Sequence, residues 1–208
     1  MHVEIIKPDE IEKQSFAIIT KELEEAGIRL PEESAMVTKR CIHTSADFDY
    51  ARTLTFSEGA VARMQELLRG GALIVTDTNM ALAGINQRKL AELGTKALCF
   101  MADPGVAEEA KKRGITRAAV SMERAAALDR EVIFAIGNAP TALIRLHEMM
   151  EEKRFTPAFV IGVPVGFVNV VWAKELFLDT PIPYIINRGR KGGSNIAAAI
   201  CNAVLYSM

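Results

Sequence analysis

The stretch Val132-Ile-Phe-Ala-Ile136-Gly-Asn-Ala-Pro140 decides how the rest of the chain is read. Five consecutive apolar residues suit a strand buried on both faces. Gly137 or Asn138 can take a positive φ, and Pro140 fits the first turn of a helix. Strand, turn and helix together form the repeating unit of a parallel sheet. The same unit recurs on both sides. Ala72-Leu-Ile-Val-Thr76 runs into Asp77-Thr-Asn79, and Ala97-Leu-Cys-Phe-Met101 into Asp103-Pro-Gly105. Phe159-Val-Ile161 runs into Gly162-Val-Pro-Val-Gly166, and Ile182-Pro-Tyr-Ile-Ile186 into Asn187-Arg-Gly-Arg190. An amphipathic or Ala-rich helix follows each run. Five such units predict an α/β fold with a doubly wound, mainly parallel five-stranded sheet.

Upstream of the sheet the pattern is helical. Pro8, Asp9 and Glu10 suit a first turn, Ile11, Phe16, Ile19 and Leu23 fall near helical spacing, and Gly27 is a stop. A second helix is expected from Pro31-Glu-Glu33 to about His43. A third is expected over Ser57–Leu68, with Ser57 as N-cap. No linker or repeat interrupts 1–208, so a single domain is expected.

Composition narrows the class. The 208 residues are 50% hydrophobic and 25% charged, which is globular and not disordered. Lys and Arg number 25 against 26 Asp and Glu, so the overall basic excess usual in a nucleic-acid binder is absent. Cys41, Cys99 and Cys201 form no CxxC pair, which argues against a disulfide scaffold or zinc site and for a reducing, cytoplasmic setting. MHVEIIKPDEIEK lacks the pattern of a signal peptide. The most apolar stretch, 158–173, is too short and too broken to span a bilayer.

In an open parallel sheet the site lies beyond the carboxyl ends of the strands. Here those ends hold the unusual residues. Asn187-Arg-Gly-Arg-Lys-Gly-Gly-Ser-Asn195 places Arg188, Arg190 and Lys191 beside glycines and a helix start. That chemistry suits an anionic group, and equally a solvated basic turn. Gly162-Val-Pro-Val-Gly-Phe167 presents backbone and apolar surface, as a pocket wall or a buried loop would. Asp77-Thr-Asn79 reads as capping. Arg117 suits either a bidentate carboxylate clamp or a helix surface.

Three histidines occur. His2 is terminal, and His147 sits among Glu148, Glu151 and Glu152. His43 ends a helix, with Lys39 and Arg40 a turn before it and Asp47 a turn after. Asp47 is placed to orient the imidazole, and the two cations to depress its pKa. Such a histidine is a natural proton donor near neutral pH, although a lone histidine is also a common structural residue. No Ser/His/Asp set, HExxH or paired-carboxylate spacing appears.

Taken in order, several strings carry a resemblance. They are Ser15-Phe-Ala-Ile-Ile19, Ile42-His-Thr44, Asp77-Thr-Asn-Met80 with Gly84, and Thr116-Arg117. They continue with Ala135-Ile-Gly-Asn-Ala-Pro-Thr-Ala-Leu143, Gly162-Val-Pro-Val-Gly-Phe-Val168 and Gly189-Arg-Lys-Gly-Gly-Ser194. Across essentially the whole chain this resembles the precorrin-8X methylmutase family of cobalamin biosynthesis, which includes the cobalt-precorrin-8 methylmutases.

The resemblance implies a flavodoxin-like fold and an isomerase. The family moves a methyl group from C-11 to C-12 of (cobalt-)precorrin-8, giving hydrogenobyrinate or cobyrinate. No separate cofactor and no metal site is implied. The implied partners are the tetrapyrrole substrate and a second copy in a homodimer, with neither nucleic acid nor membrane. His43 matches the family's catalytic histidine, which would protonate the macrocycle near ring C. Arg117 matches a carboxylate anchor, and Ser15, Thr78, Met80 and Gly84 match pocket positions. Arg190 and Lys191 would face peripheral carboxylates. One segment departs from the family pattern. Trp172 and Ala173 stand where a Glu-Ser pair is usual, with Lys174 kept. From another class, the alternative is a non-catalytic corrinoid-binding or carrier protein. A nucleotide-binding reading lacks the Gly-x-Gly-x-x-Gly turn.

Overall fold

The apolar runs become parallel strands at the centre of the molecule. The computed structural model describes residues 8–208, so His2 lies outside the described residues. In chain order the elements begin with α1 (Pro8–Glu25), α2 (Glu32–Ser45), α3 (Tyr50–Thr53), β1 (Leu54–Phe56) and α4 (Ala60–Arg69). Then come β2 (Leu73–Thr76), α5 (Asn79–Gly84), α6 (Gln87–Glu92), β3 (Ala97–Leu98), α7 (Pro104–Arg113) and α8 (Arg117–Ala126). The chain closes with β4 (Val132–Ile136), α9 (Pro140–Glu151), β5 (Phe159–Gly162), α10 (Val170–Glu175), β6 (Tyr184–Asn187) and α11 (Ser194–Tyr206).

The sheet has six strands in the order β1-β6-β5-β4-β2-β3. Counting only the five parallel strands gives the order 2-1-3-4-5, which is the flavodoxin arrangement. The sixth strand, β1, was not expected. It pairs antiparallel to β6, Leu54 opposite Asn187 and Phe56 opposite Ile185.

Strand residues alternate between two cores, as the pleat requires. Ile133 and Ala135 face one core with Ile74 and Ile161, under α1, α2, α4 and α11. Phe134 and Ile136 face the other with Val75 and Val160, under α8, α9 and α10. The Ala-rich α11 buries Ile196, Ala197, Ile200, Cys201, Ala203 and Val204 within this chain. No described helix is long and apolar enough to cross a membrane.

Two local expectations are corrected. The third helix starts at Ala60, entered through Gly59 at φ 62°, and Ser57 does not cap it. The Ser57 hydroxyl instead accepts the Tyr184 N–H at 2.9 Å, tying β1 to β6. The 97–101 run pairs only over Ala97–Leu98.

Candidate active site

The polar ends of β2, β4, β5 and β6 are knitted into one rim. Buried Asp77, just after β2, accepts the backbone N–H groups of Gly137, Asn138 and Ala139 at 2.9, 2.8 and 2.6 Å. Burial pushes its carboxyl up, and the three amides pull the other way. β2 and β4 flank the point where the strand order reverses, the usual seat of a nucleotide in this fold. Asp77 fills it with an internal carboxylate. The nucleotide reading therefore loses its site as well as its motif.

Above this plug, α11 begins against the β4 loop. A Cβ on Gly137 would lie 2.7 Å from the Ser194 Cα, so only glycine permits that approach. Thr78 caps α5 by accepting the Ala81 N–H at 3.1 Å, and its hydroxyl also meets Ser194 Oγ at 2.8 Å. Gly193 donates to the Val163 carbonyl at 2.9 Å, and Gly166 to that of Arg190 at 3.1 Å. These bonds join the Gly162–Phe167 and Gly189–Ser194 loops. Lys174 is buried beneath them and donates to the carbonyls of Gly189 and Lys191. Asn187 adds a further bond to the Lys191 carbonyl, 2.8 Å long.

His43 stands on the last turn of α2. The helix stops at Ala46, which adopts the left-handed conformation and returns its N–H to Ile42. The imidazole is exposed and lies against the Phe16 ring of α1, centroids 5.6 Å apart and planes 24° off parallel. Ser15 and His43 line one depression of about 200 Å³ with Ile18, Ala46 and Phe48. Arg40, Thr44, Gly84, Asn195 and Tyr206 line a second, of about 310 Å³, on the other flank of α2.

The expected orientation of His43 by Asp47 is not found. The Asp47 carboxylate is taken by Lys191 Nζ at 2.6 Å, and Asp49 joins the same ammonium at 2.6 Å. That contact holds Asp47 below the usual carboxylate range. Lys191 thus ties the end of α2 to the basic loop. Arg40 does not act as a free cation either. Glu12 grips it with bonds of 3.0 and 2.8 Å.

The remaining candidates are spread along the rim. Met80 is 71% exposed on the first turn of α5, and Arg190 stacks over the Phe167 ring at 5.3 Å. Arg117 is exposed at the start of α8 and forms no ion pair among the described residues. Its neighbour Thr116 bonds Thr141 at 3.0 Å, which fixes this turn beside the β4 loop. α8 covers the sheet face opposite α2, so Arg117 and His43 approach the rim from opposite faces. At the departing segment, Trp172 is 55% exposed and Ala173 is fully buried. The substitution therefore changes the rim at one position and the core at the other.

Sequence reading missed the contributions of Phe16, Glu12, Asp77 and Lys174. None left a usable local signal, and Lys174 stands beside Glu175 at the end of the run Val170-Val-Trp-Ala173.

Known proteins resemble this chain over nearly its whole length. A cobalt-precorrin-8 methylmutase of Salmonella typhimurium is 43% identical over 98% of this chain and 97% of its own. One from Leptospira interrogans is 41% identical over 94% and 91%. The crystal structure of a precorrin-8X methylmutase from Thermus thermophilus superposes with a TM-score of 0.84 at 36% identity, covering 95% of this chain and 96% of that one. A sequence profile described as precorrin-8X methylmutase matches residues 10–207, and the chain belongs to that family.

Proposed function

We propose that this isomerase acts on a precorrin-8-type tetrapyrrole, with His43 as its acid. The methyl bond to C-11 breaks as the bond to C-12 forms, and the methyl never leaves the macrocycle. The proton that His43 lends near ring C is returned afterwards, so atoms and charge balance. The reaction needs no leaving group and no external methyl donor. Catalysis then rests on holding the ring in a reactive shape and on timely protonation. The observation that carries this reading is the exposed His43 imidazole, which shares a depression with Ser15 and has no carboxylate partner among the described residues.

A second copy of the chain is part of the proposal. His43 and Arg117 sit on opposite faces of one subunit, while a flat polycarboxylate needs an acid and an anchor on one surface. A homodimer in which the Arg117 turn of one copy faces the His43 turn of the other supplies both. The Gly189–Ser194 loop, with Arg190, would meet further carboxylates. The whole chain is read as one domain, and its free cysteines fit the cytoplasm.

The test is His43→Ala. Bound hydrogenobyrinic acid, followed by its visible absorption, should keep its affinity while conversion of substrate stops. Turnover by H43A at the wild-type rate would remove His43 from the mechanism.

A further inference from the structure

Among the described residues His43 makes no hydrogen bond, so neither ring nitrogen is tethered to any of them. Catalytic histidines are commonly oriented by a carboxylate or a carbonyl on the second nitrogen. Here the contact available for that purpose is the face of Phe16.

Phe16 is itself held. The Arg40 guanidinium lies over its ring at 5.0 Å and over the Tyr206 ring at 5.2 Å. Arg40 and His43 are three residues apart on α2, and Glu12 and Phe16 four apart on α1. Each pair therefore occupies one helix face. The two faces meet, with Glu12 on Arg40 and Phe16 in contact with both Arg40 and His43. A column results that runs Tyr206, Arg40, Phe16, His43 and draws on three helices. A planar guanidinium suits such stacking, and its remaining N–H groups stay free for the Glu12 fork.

We propose that Phe16 is a positioning residue for His43, fixing the imidazole plane by stacking while leaving both nitrogens free to exchange a proton with the macrocycle. This rests on the reading of His43 as the acid. Fixing the plane by a ring face has a chemical consequence. A carboxylate on the second nitrogen would hold the proton within the protein. A hydrocarbon face fixes direction without competing for it.

The experiment compares Phe16→Leu with Phe16→Tyr. Leucine keeps apolar bulk but no flat face, and tyrosine keeps the face. F16L should lower kcat on the order of 100-fold, the cost of a misaligned reacting group, with KM nearly unchanged. F16Y should restore kcat to near wild type. A residue needed only for packing would be served by leucine. An NMR readout is independent of turnover, because stacking on Phe16 displaces the His43 ring-proton resonances and F16L should return them to free-imidazole positions. Wild-type kcat in F16L overturns the proposal. So do wild-type His43 resonances at free-imidazole positions, a result that needs no variant. H43A turning over normally would instead sink the acid reading, with the resonance shift of the stack still present in the wild-type protein.

Discussion

The Nζ of Lys174 lies 2.8 Å from the carbonyl oxygen of Gly189 and 2.7 Å from that of Lys191, and among the described residues no carboxylate joins them. An ammonium is thus buried in the role usually given to an ordered water, bridging two carbonyls of one loop. Burial pushes it down to about 8 from the ordinary 10.5.

Lys174→Met should therefore loosen the Gly189–Ser194 loop. It removes a buried charge, which is a gain, but leaves two carbonyls short of a donor at about 1–3 kcal/mol each. The net expectation is a loss of stability, read as a lower urea midpoint. The sign of the pH effect follows from the depressed folded value. Between about 8 and 10.5 the unfolded chain binds the proton that the folded chain has released, so stability rises with pH there. The advantage of wild type over K174M should widen from pH 7 to pH 10. Equal midpoints at all pH values would show that Lys174 does not hold the loop.

The central strands were legible because each is apolar along its whole length and buried on both faces. β2, β4 and β5 needed only local sequence. β1 needed distant sequence. Leu54-Thr-Phe56 is short and half-buried, and its partner β6 lies about 130 residues away. Ser57 reads locally as a cap, yet its hydroxyl is claimed by Tyr184 across the same gap. The site shows the same division. The position of His43 at a helix end is written in local spacing. The fate of Asp47 is not, because Lys191 arrives from 144 positions downstream. Nothing local marks Lys174 as buried, because the carbonyls it meets at Gly189 and Lys191 come from the loop after β6.

The Glu12–Arg40 fork predicts an acid-sensitive attachment of α1. The guanidinium holds the Glu12 carboxyl below its ordinary value of 4.5. A depressed folded value stabilises fully above the unfolded value and is lost as pH falls through the folded one. Amide exchange in α1, corrected for its intrinsic pH dependence, should rise below about pH 4. Glu12→Gln should show that faster exchange already at pH 7. Equal α1 protection in E12Q and wild type at pH 7 would rule the fork out as an attachment.

Gly192 tests how tightly the rim is closed. A Cβ there would lie 2.0 Å from the Val163 carbonyl oxygen, at a φ of +155°. Backbone cannot yield as a flexible side chain can, so Gly192→Ala should cost at least the 1–3 kcal/mol of an overpacked site. Gly189→Ala is the control. It has φ +76° with nothing within 4 Å, and should cost only the strain of a left-handed alanine, on the order of 1 kcal/mol. Thermal unfolding should rank wild type, G189A, then G192A. The reverse order of the two variants would mean that conformation, and not the contact with Val163, sets the cost.

The opposition of His43 and Arg117 yields the sharpest test of a shared site. H43A and R117A should each lose most activity as pure dimers, the first in kcat and the second in KM. In a mixed dimer, a site built from both subunits combines either two damaged residues or two intact ones. One of its two sites is then whole. Random mixing makes about half the dimers mixed, so about a quarter of wild-type activity should return. If each subunit instead supplied its own His43 and Arg117, every site would keep one damaged residue and mixing would restore nothing. Sedimentation must show the mixed species as a dimer, and a chain that stays monomeric at assay concentration would exclude sharing altogether.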